Sequence, residues 1–258
     1  MTWFSEYIQF IKIKCMARLQ YPLDLAFSVF AFFLVQLTGP ALVFGLYNAG
    51  ASFEGWTMWE LIFLQGVFST VAGVAFVLFW GLTWRMNHVV RDGYFELARI
   101  RPINTLRLLV MEAFDEEDIA QLLSGLVVVS VSSMYVSVDP RGLLYAVPLA
   151  FIGLIVLFSL SVIAASTVLI FVTVPRVNEF LSSFLHLLRF PKDAFSRHIS
   201  VPILSLFPLF FVNTYPTQIL LGGTVQGWFY SCLSVLFFLA LAMYLWRYAV
   251  SQYEGAGG

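Results

Sequence analysis

Stretches of about twenty residues with almost no charged side chain recur along this chain, and they fix the solvent in which it folds. Leu25 to Tyr47 is apolar apart from Ser28, Gln36, Thr38 and a Gly39-Pro40 pair, and Leu143 to Phe171 carries no ionisable group except Tyr145. A helix of that length covers the ~30 Å of a bilayer's hydrocarbon core. Inside lipid the backbone must satisfy its own hydrogen bonds, which selects helices or closed barrels. Only 11% of the residues are charged, against roughly a quarter in soluble domains. The expected fold is an all-α integral membrane protein, one transmembrane domain over 1–258.

The chain divides readily up to residue 171. Residues 1–22 mix apolar residues with Glu6, Lys12, Lys14 and Arg18, so they do not form a cleavable signal peptide. Phe4, Tyr7, Ile8, Ile11 and Cys15 recur at helical spacing. This pattern predicts an amphipathic helix on the membrane surface, its bases meeting lipid headgroups. Spans follow at 25–47, 59–82, 119–138 and 143–171, with a last one at 228–246. The Gly39-Pro40 pair should kink the first. Tryptophans 56, 59, 80 and 84 mark the interfaces of the second. Asp139-Pro140-Arg141-Gly142 reads as a tight turn between the third and fourth.

Residues 171–227 admit two readings. In one, 177–190 is a short fifth span and 191–223 a proline-broken, partly inserted outer hairpin. In the other, 176–198 is a surface segment and 199–221 the fifth span. Counting bases favours the second, which keeps Arg189, Lys192 and Arg197 inside. Pro202, Pro208 and Pro216 favour the first, because broken backbone at membrane depth needs protein or an aqueous cavity around it.

Between the second and third spans lies a basic loop, Trp84 to Arg107, containing RDGYFELARIRP. Short loops rich in Lys and Arg stay in the cytoplasm. A charged, partly helical loop there, flanked by breakers at Gly93 and Pro102, is where a soluble partner could push on a membrane domain. The acidic run Glu112, Asp115, Glu116, Glu117 and Asp118 before the third span reads as solvated and helix-starting.

Chemistry is conspicuous by omission. No G-x-x-x-x-G-K-[ST], H-E-x-x-H or G-x-S-x-G occurs, and Cys15 and Cys232 are isolated, as are His88, His186 and His198. No catalytic, cofactor-binding or metal site is expected, and no nucleic-acid partner. The spans hold almost no ionisable groups, which argues against an ion-driven carrier. If the chain belongs to a pump, its energy comes from another subunit.

The order of these features resembles the membrane subunit of type 2 ABC transporters, the six-span exporter permeases, within a prokaryotic subfamily of about this length. The resemblance is carried by Arg91-Asp92-Gly93, Glu96 and Arg101-Pro102. A second stretch is Arg189-Phe190-Pro191, Asp193, Phe195, Pro202, Pro208, Phe211, Asn213 and Pro216 to Gly222. The family usually has tyrosine where this chain has Phe190. The resemblance implies two permeases, identical or related, above two copies of an ATPase subunit that hold ATP and Mg. It places Arg91, Asp92, Gly93, Glu96, Arg99, Arg101 and Pro102 of the 84–107 coupling loop near that ATPase. Arg176 becomes a second cytosolic contact, and Arg189, Lys192 and Arg197 the outer gate. It also favours 177–190 as the fifth span and 191–223 as a re-entrant outer segment. The implied function is ATP-driven export of an amphipathic or lipid-like substrate across the prokaryotic plasma membrane, both termini cytoplasmic. A membrane-embedded lipid enzyme using the acids around Asp115, or a non-transporting scaffold, are the alternatives.

Overall fold

A computed structural model of the chain describes residues 3–53, 55–171, 175–191, 208–224 and 228–253. The described residues are helical, with no strand beyond an isolated bridge from Phe53 to Trp56. In chain order the helices are α1 (Trp3–Arg18), α2 (Pro22–Gln36), α3 (Thr38–Asn48), α4 (Met58–Ala75), α5 (Gly81–Arg91), α6 (Tyr94–Arg99), α7 (Thr105–Glu112), α8 (Ile119–Ser132), α9 (Leu143–Phe171), α10 (Pro175–Leu187), α11 (Thr214–Leu220) and α12 (Trp228–Gln252).

Four helical runs are long and apolar enough to cross a bilayer: Pro22–Asn48, Met58–Arg91, Pro140–Phe171 and Cys232–Gln252. α8, with 14 residues, and α10, with 13, are shorter. At ~1.5 Å per residue each reaches only about 20 Å. The multi-pass membrane architecture therefore stands, and among the described residues four helices are long and apolar enough to cross by length alone.

The first long run is broken at Leu37, between α2 and α3, beside the Gly39-Pro40 pair. The second continues without a loop through α4, a π-helical turn Phe76–Trp80, and α5. The basic segment is thus helical until Arg91 rather than a loop from Trp84.

α4 and α8 form the tightest pair, because small residues let their backbones meet. A Cβ on Gly73 would sit 2.6 Å from the Leu122 nitrogen, and one on Gly125 2.5 Å from the Thr70 nitrogen. α9 packs between α12, α5 and α4, and its buried face holds Val156, Leu157, Leu160 and Val168. No residue of α2 is buried and only Val43 of α3 is, so the first run lies on the outside of the bundle.

Two segments run alongside the long helices. α10 packs against α5 near the basic end, while the Phe190 ring lies 5.9 Å from that of Phe53 in the turn at the opposite end. Residues 209–220 lie along the first half of α9. Gly153 abuts the Phe211 carbonyl, Gly142 abuts that of Ile219, and the Asp139 amide donates to the Leu220 carbonyl at 2.8 Å. Asn213 anchors this segment to the end of α10 by donating to the Leu188 carbonyl. Residues 192–207 lie outside the described set, so the segment 191–223 is seen only in part.

Candidate functional site: the basic segment and its supports

Arg91 ends α5, and the chain then reverses through Asp92 and Gly93. Gly93 has φ +69°, a left-handed conformation that costs an L side chain ~1–2 kcal/mol. Glycine there lets α6 start at once. α6 buries one face and shows the other. Phe95 and Ala98 are fully buried. The Phe95 ring meets Tyr253 edge-on at 4.8 Å and Trp246 at 6.2 Å, fastening α6 under the end of α12. Ala98 packs with Tyr7, Leu108 and Met111.

The other face is solvent-accessible. Arg91, Asp92, Glu96, Arg99, Arg101 and Pro102 are all exposed, together with Leu97, Ile100 and Ile103; Ile100 is 80% exposed. Charged and apolar side chains on a firmly based short helix make a contact surface, and nothing in them resembles a catalytic arrangement. Among the described residues, no group of three metal-ligating side chains comes together.

Glu112 is the hub beneath that surface. The Tyr94 hydroxyl donates to its Oε1, Arg101 pairs with the same oxygen at 3.6 Å, and Arg101 stacks over the Tyr94 ring at 5.5 Å. Burial and the Glu112 carboxylate push the Tyr94 hydroxyl pKa up. From the other side, Lys14 of α1 donates to the carbonyls of Glu112 at 2.9 Å and Phe114 at 2.7 Å. Desolvation, reinforced by Arg85, lowers the Lys14 pKa against the pull of the nearby acids.

Lys14 and Arg18 of α1 are thus turned inward, contrary to the expectation that they meet headgroups, while Lys12 is exposed. Arg18 bridges Asp24 at 3.3 Å, Glu116 at 3.5 Å, and Glu117. The acidic run is therefore the counter-charge of α1 rather than a solvated helix start. Tyr7 completes the clamp. Its hydroxyl donates to the Leu78 carbonyl at 2.6 Å, and burial drives its pKa to about 12. The Asp115 amide donates to the neighbouring Val77 carbonyl at 3.0 Å. Both acceptors belong to the π turn, where the wider winding takes carbonyls out of the regular i→i−4 ladder. The π turn thus receives α1 on one carbonyl and the acidic run on the next.

A second polar cluster lies within the bundle. Arg189, just past α10, donates to Gln36 at 3.0 Å, and Gln36 donates to Gln121 at 3.0 Å. Gln65, 2% exposed, has an Oε1 with no partner among the described residues, and Gly39 lies against both that oxygen and Arg189. Arg189 therefore faces inward among amides. The side chain of Arg176 and all of Lys192 and Arg197 lie outside the described residues.

Sequence reading brought forward the exposed face of α6 but missed its supports. Tyr7, Lys14, Arg18, Glu112 and Phe95 matter through partners about 70 to 160 positions away, a separation no local pattern encodes.

A sequence profile of the ABC-2 family of transporter proteins matches residues 11–257, nearly the whole chain. The chain belongs to that family. No curated protein matches it significantly. Family membership makes this a membrane component of an ABC transporter, a transport protein rather than a catalyst, whose partner is an ABC ATPase.

Proposed function

We propose that this ABC-2 protein is the permease of an exporter driven by two copies of a separate ATPase, which hold the ATP and Mg, and that α6 is where the ATPase pushes. The observation that carries this is the two-sided α6, with Phe95 and Ala98 locked into the fold and a charged, apolar face presented outward. Arg91, Asp92, Glu96, Arg101 and Pro102 meet the ATPase, and Gly93 sets their angle. Movement of α6 is transmitted through Tyr94 and Arg101 to Glu112, and from there to Lys14, α1 and the π turn of the second run. That turn is a natural point of give, because it departs from regular α winding.

Six crossings are part of the proposal, with α8 and 177–190 as the short third and fifth. The approach of Phe190 to Phe53, with α10 also against α5, supports a traverse from the basic end to the opposite end. Residues 209–220 lying along half of α9 support a segment that enters and returns on the outer side. In this reading Arg189 serves as the gate residue of the outer half, with Arg176, Lys192 and Arg197 in the roles the resemblance implies. An ionised group in a membrane interior marks a substrate path by default. The uncovered α2 supports pairing with a second permease, identical or related. The substrate is amphipathic or lipid-like and leaves the cytoplasm of a prokaryote, with both termini on the inner side.

The test is purification of tagged protein from its native membrane in mild detergent, with identification of co-eluting subunits and an ATP-hydrolysis assay. A stoichiometric ATPase whose substrate-stimulated turnover is lost in Arg91→Ala/Glu96→Ala supports the proposal. A chain that never captures an ATPase under cross-linking sinks it. Loss of function in Asp115→Asn/Glu116→Gln with assembly intact would instead favour a lipid enzyme.

A further inference from the structure

At the basic end of the bundle a cleft of about 390 Å³ opens between the α6–α7 turn and the last two turns of α12. Met243, Trp246, Arg247, Val250 and Ser251 line one side. Their spacing, i, i+3, i+4, i+7 and i+8, puts them on one face of α12. Arg99, Asn104, Thr105 and Leu106 line the other. The lining holds two arginines and no carboxylate. Neither arginine forms an ion pair or hydrogen bond among the described residues. Thr105 and Leu106 open α7, so their amides have no acceptor within the helix. The Asn104 side chain is already committed to the Arg107 amide at 3.2 Å.

We propose that this cleft binds the phosphate of an anionic glycerophospholipid, held between Arg99 and Arg247. Guanidinium groups suit phosphate because they offer paired donors in a plane. The apolar half of the lining selects a lipid over a free anion. Tyr244 and Leu236, both exposed, lie below Arg247 on a membrane-length helix at i−3 and i−11, so acyl chains continue down the outer face that the headgroup tops. The lipid bridges α12 to the start of α7, bracing from outside the joint that Phe95 fastens from within. Arg99 then differs from the other arginines of its segment: it serves the lipid, and the contact with the ATPase is left to Arg91 and Arg101. The proposal concerns the chain alone and does not depend on how the transporter is driven.

The experiment is native mass spectrometry of the purified full chain with equal phosphatidylglycerol and phosphatidylcholine added. Each basic side chain near an anionic headgroup gives about a five-fold gain, so two give a preference of about 30-fold for phosphatidylglycerol. Arg99→Gln/Arg247→Gln should bring that ratio near parity, and Arg247→Gln alone should lower it about five-fold. Arg85→Gln/Arg107→Gln removes equal charge elsewhere and should leave the ratio unchanged. Gel filtration verifies folding, and the single variant decides the matter should the double one aggregate. An unchanged ratio in both cleft variants overturns the proposal. So does displacement of the lipid by excess inorganic phosphate, which would make this a free-anion site. Loss of a captured ATPase in the cleft variants with lipid preference intact would make the cleft a protein contact and also overturn it.

Discussion

Replacing Phe95 by alanine tests whether α6 acts as a based lever. Phe95 is fully buried, and its ring touches Trp246 and Tyr253, so nothing nearby can fill the space without moving the end of α12. Truncating a buried phenylalanine costs about 3–5 kcal/mol. Two edge-to-face contacts account for part of that, roughly 0.5–1.5 kcal/mol each. The loss falls on one joint, because the interior of the bundle is held by α4, α8 and α9. It should therefore appear as local opening of α6 and not as global unfolding. At about 1.4 kcal/mol per factor of ten, amide exchange over 94–99 should accelerate at least ~100-fold. Exchange in α9 should stay unchanged. Phe95→Leu keeps most of the volume and should cost under ~1.5 kcal/mol. Hydrogen–deuterium exchange read by mass spectrometry measures both. Equal acceleration in α6 and α9, or none in either, would refute the claim that Phe95 fastens α6 independently of the bundle.

Other outcomes follow from the same contacts. Tyr7→Phe leaves the Leu78 carbonyl without its donor and should destabilise α1 docking by about 1–3 kcal/mol, seen as faster proteolysis of the first twenty residues. Gly73→Val forces a side chain into the Leu122 backbone and should abolish folded protein on gel filtration, whereas Gly45→Ala, with open space around it, should be tolerated. Asp118 is pushed up to about 7, first by burial and then by Asp115. Its neutral form is favoured in the fold, so this contribution is full at low pH and is lost as pH rises from the ordinary carboxylate range through 7. Asp118→Asn should flatten that fall in a thermal-melt series from pH 5 to 8. Arg18→Glu sets like charges beside Glu116 and Glu117 and should release α1, restored in part by Glu116→Lys/Glu117→Lys.

Long apolar runs and the shortage of charge were enough to determine a helical membrane protein, because unsatisfied backbone cannot persist in lipid. The segment RDGYFELARIRP likewise declared an exposed, charged handle, since sign and spacing of charge are local properties. Its supports were not local. Lys14 and Arg18 look like headgroup-seeking bases until folding brings the 112–118 run within hydrogen-bond and ion-pair reach of them. The π turn is invisible in FVLFW, because its freed carbonyls are tolerated only where Tyr7 and Asp115 arrive to take them. Arg189 reads as an outer rim charge, yet Gln36 and Gln121, each from a different helix, draw it inward. Composition chose the solvent and the secondary structure. Which polar groups meet inside that solvent was decided by packing, since a buried donor takes whatever acceptor the fold sets beside it, at any distance along the chain.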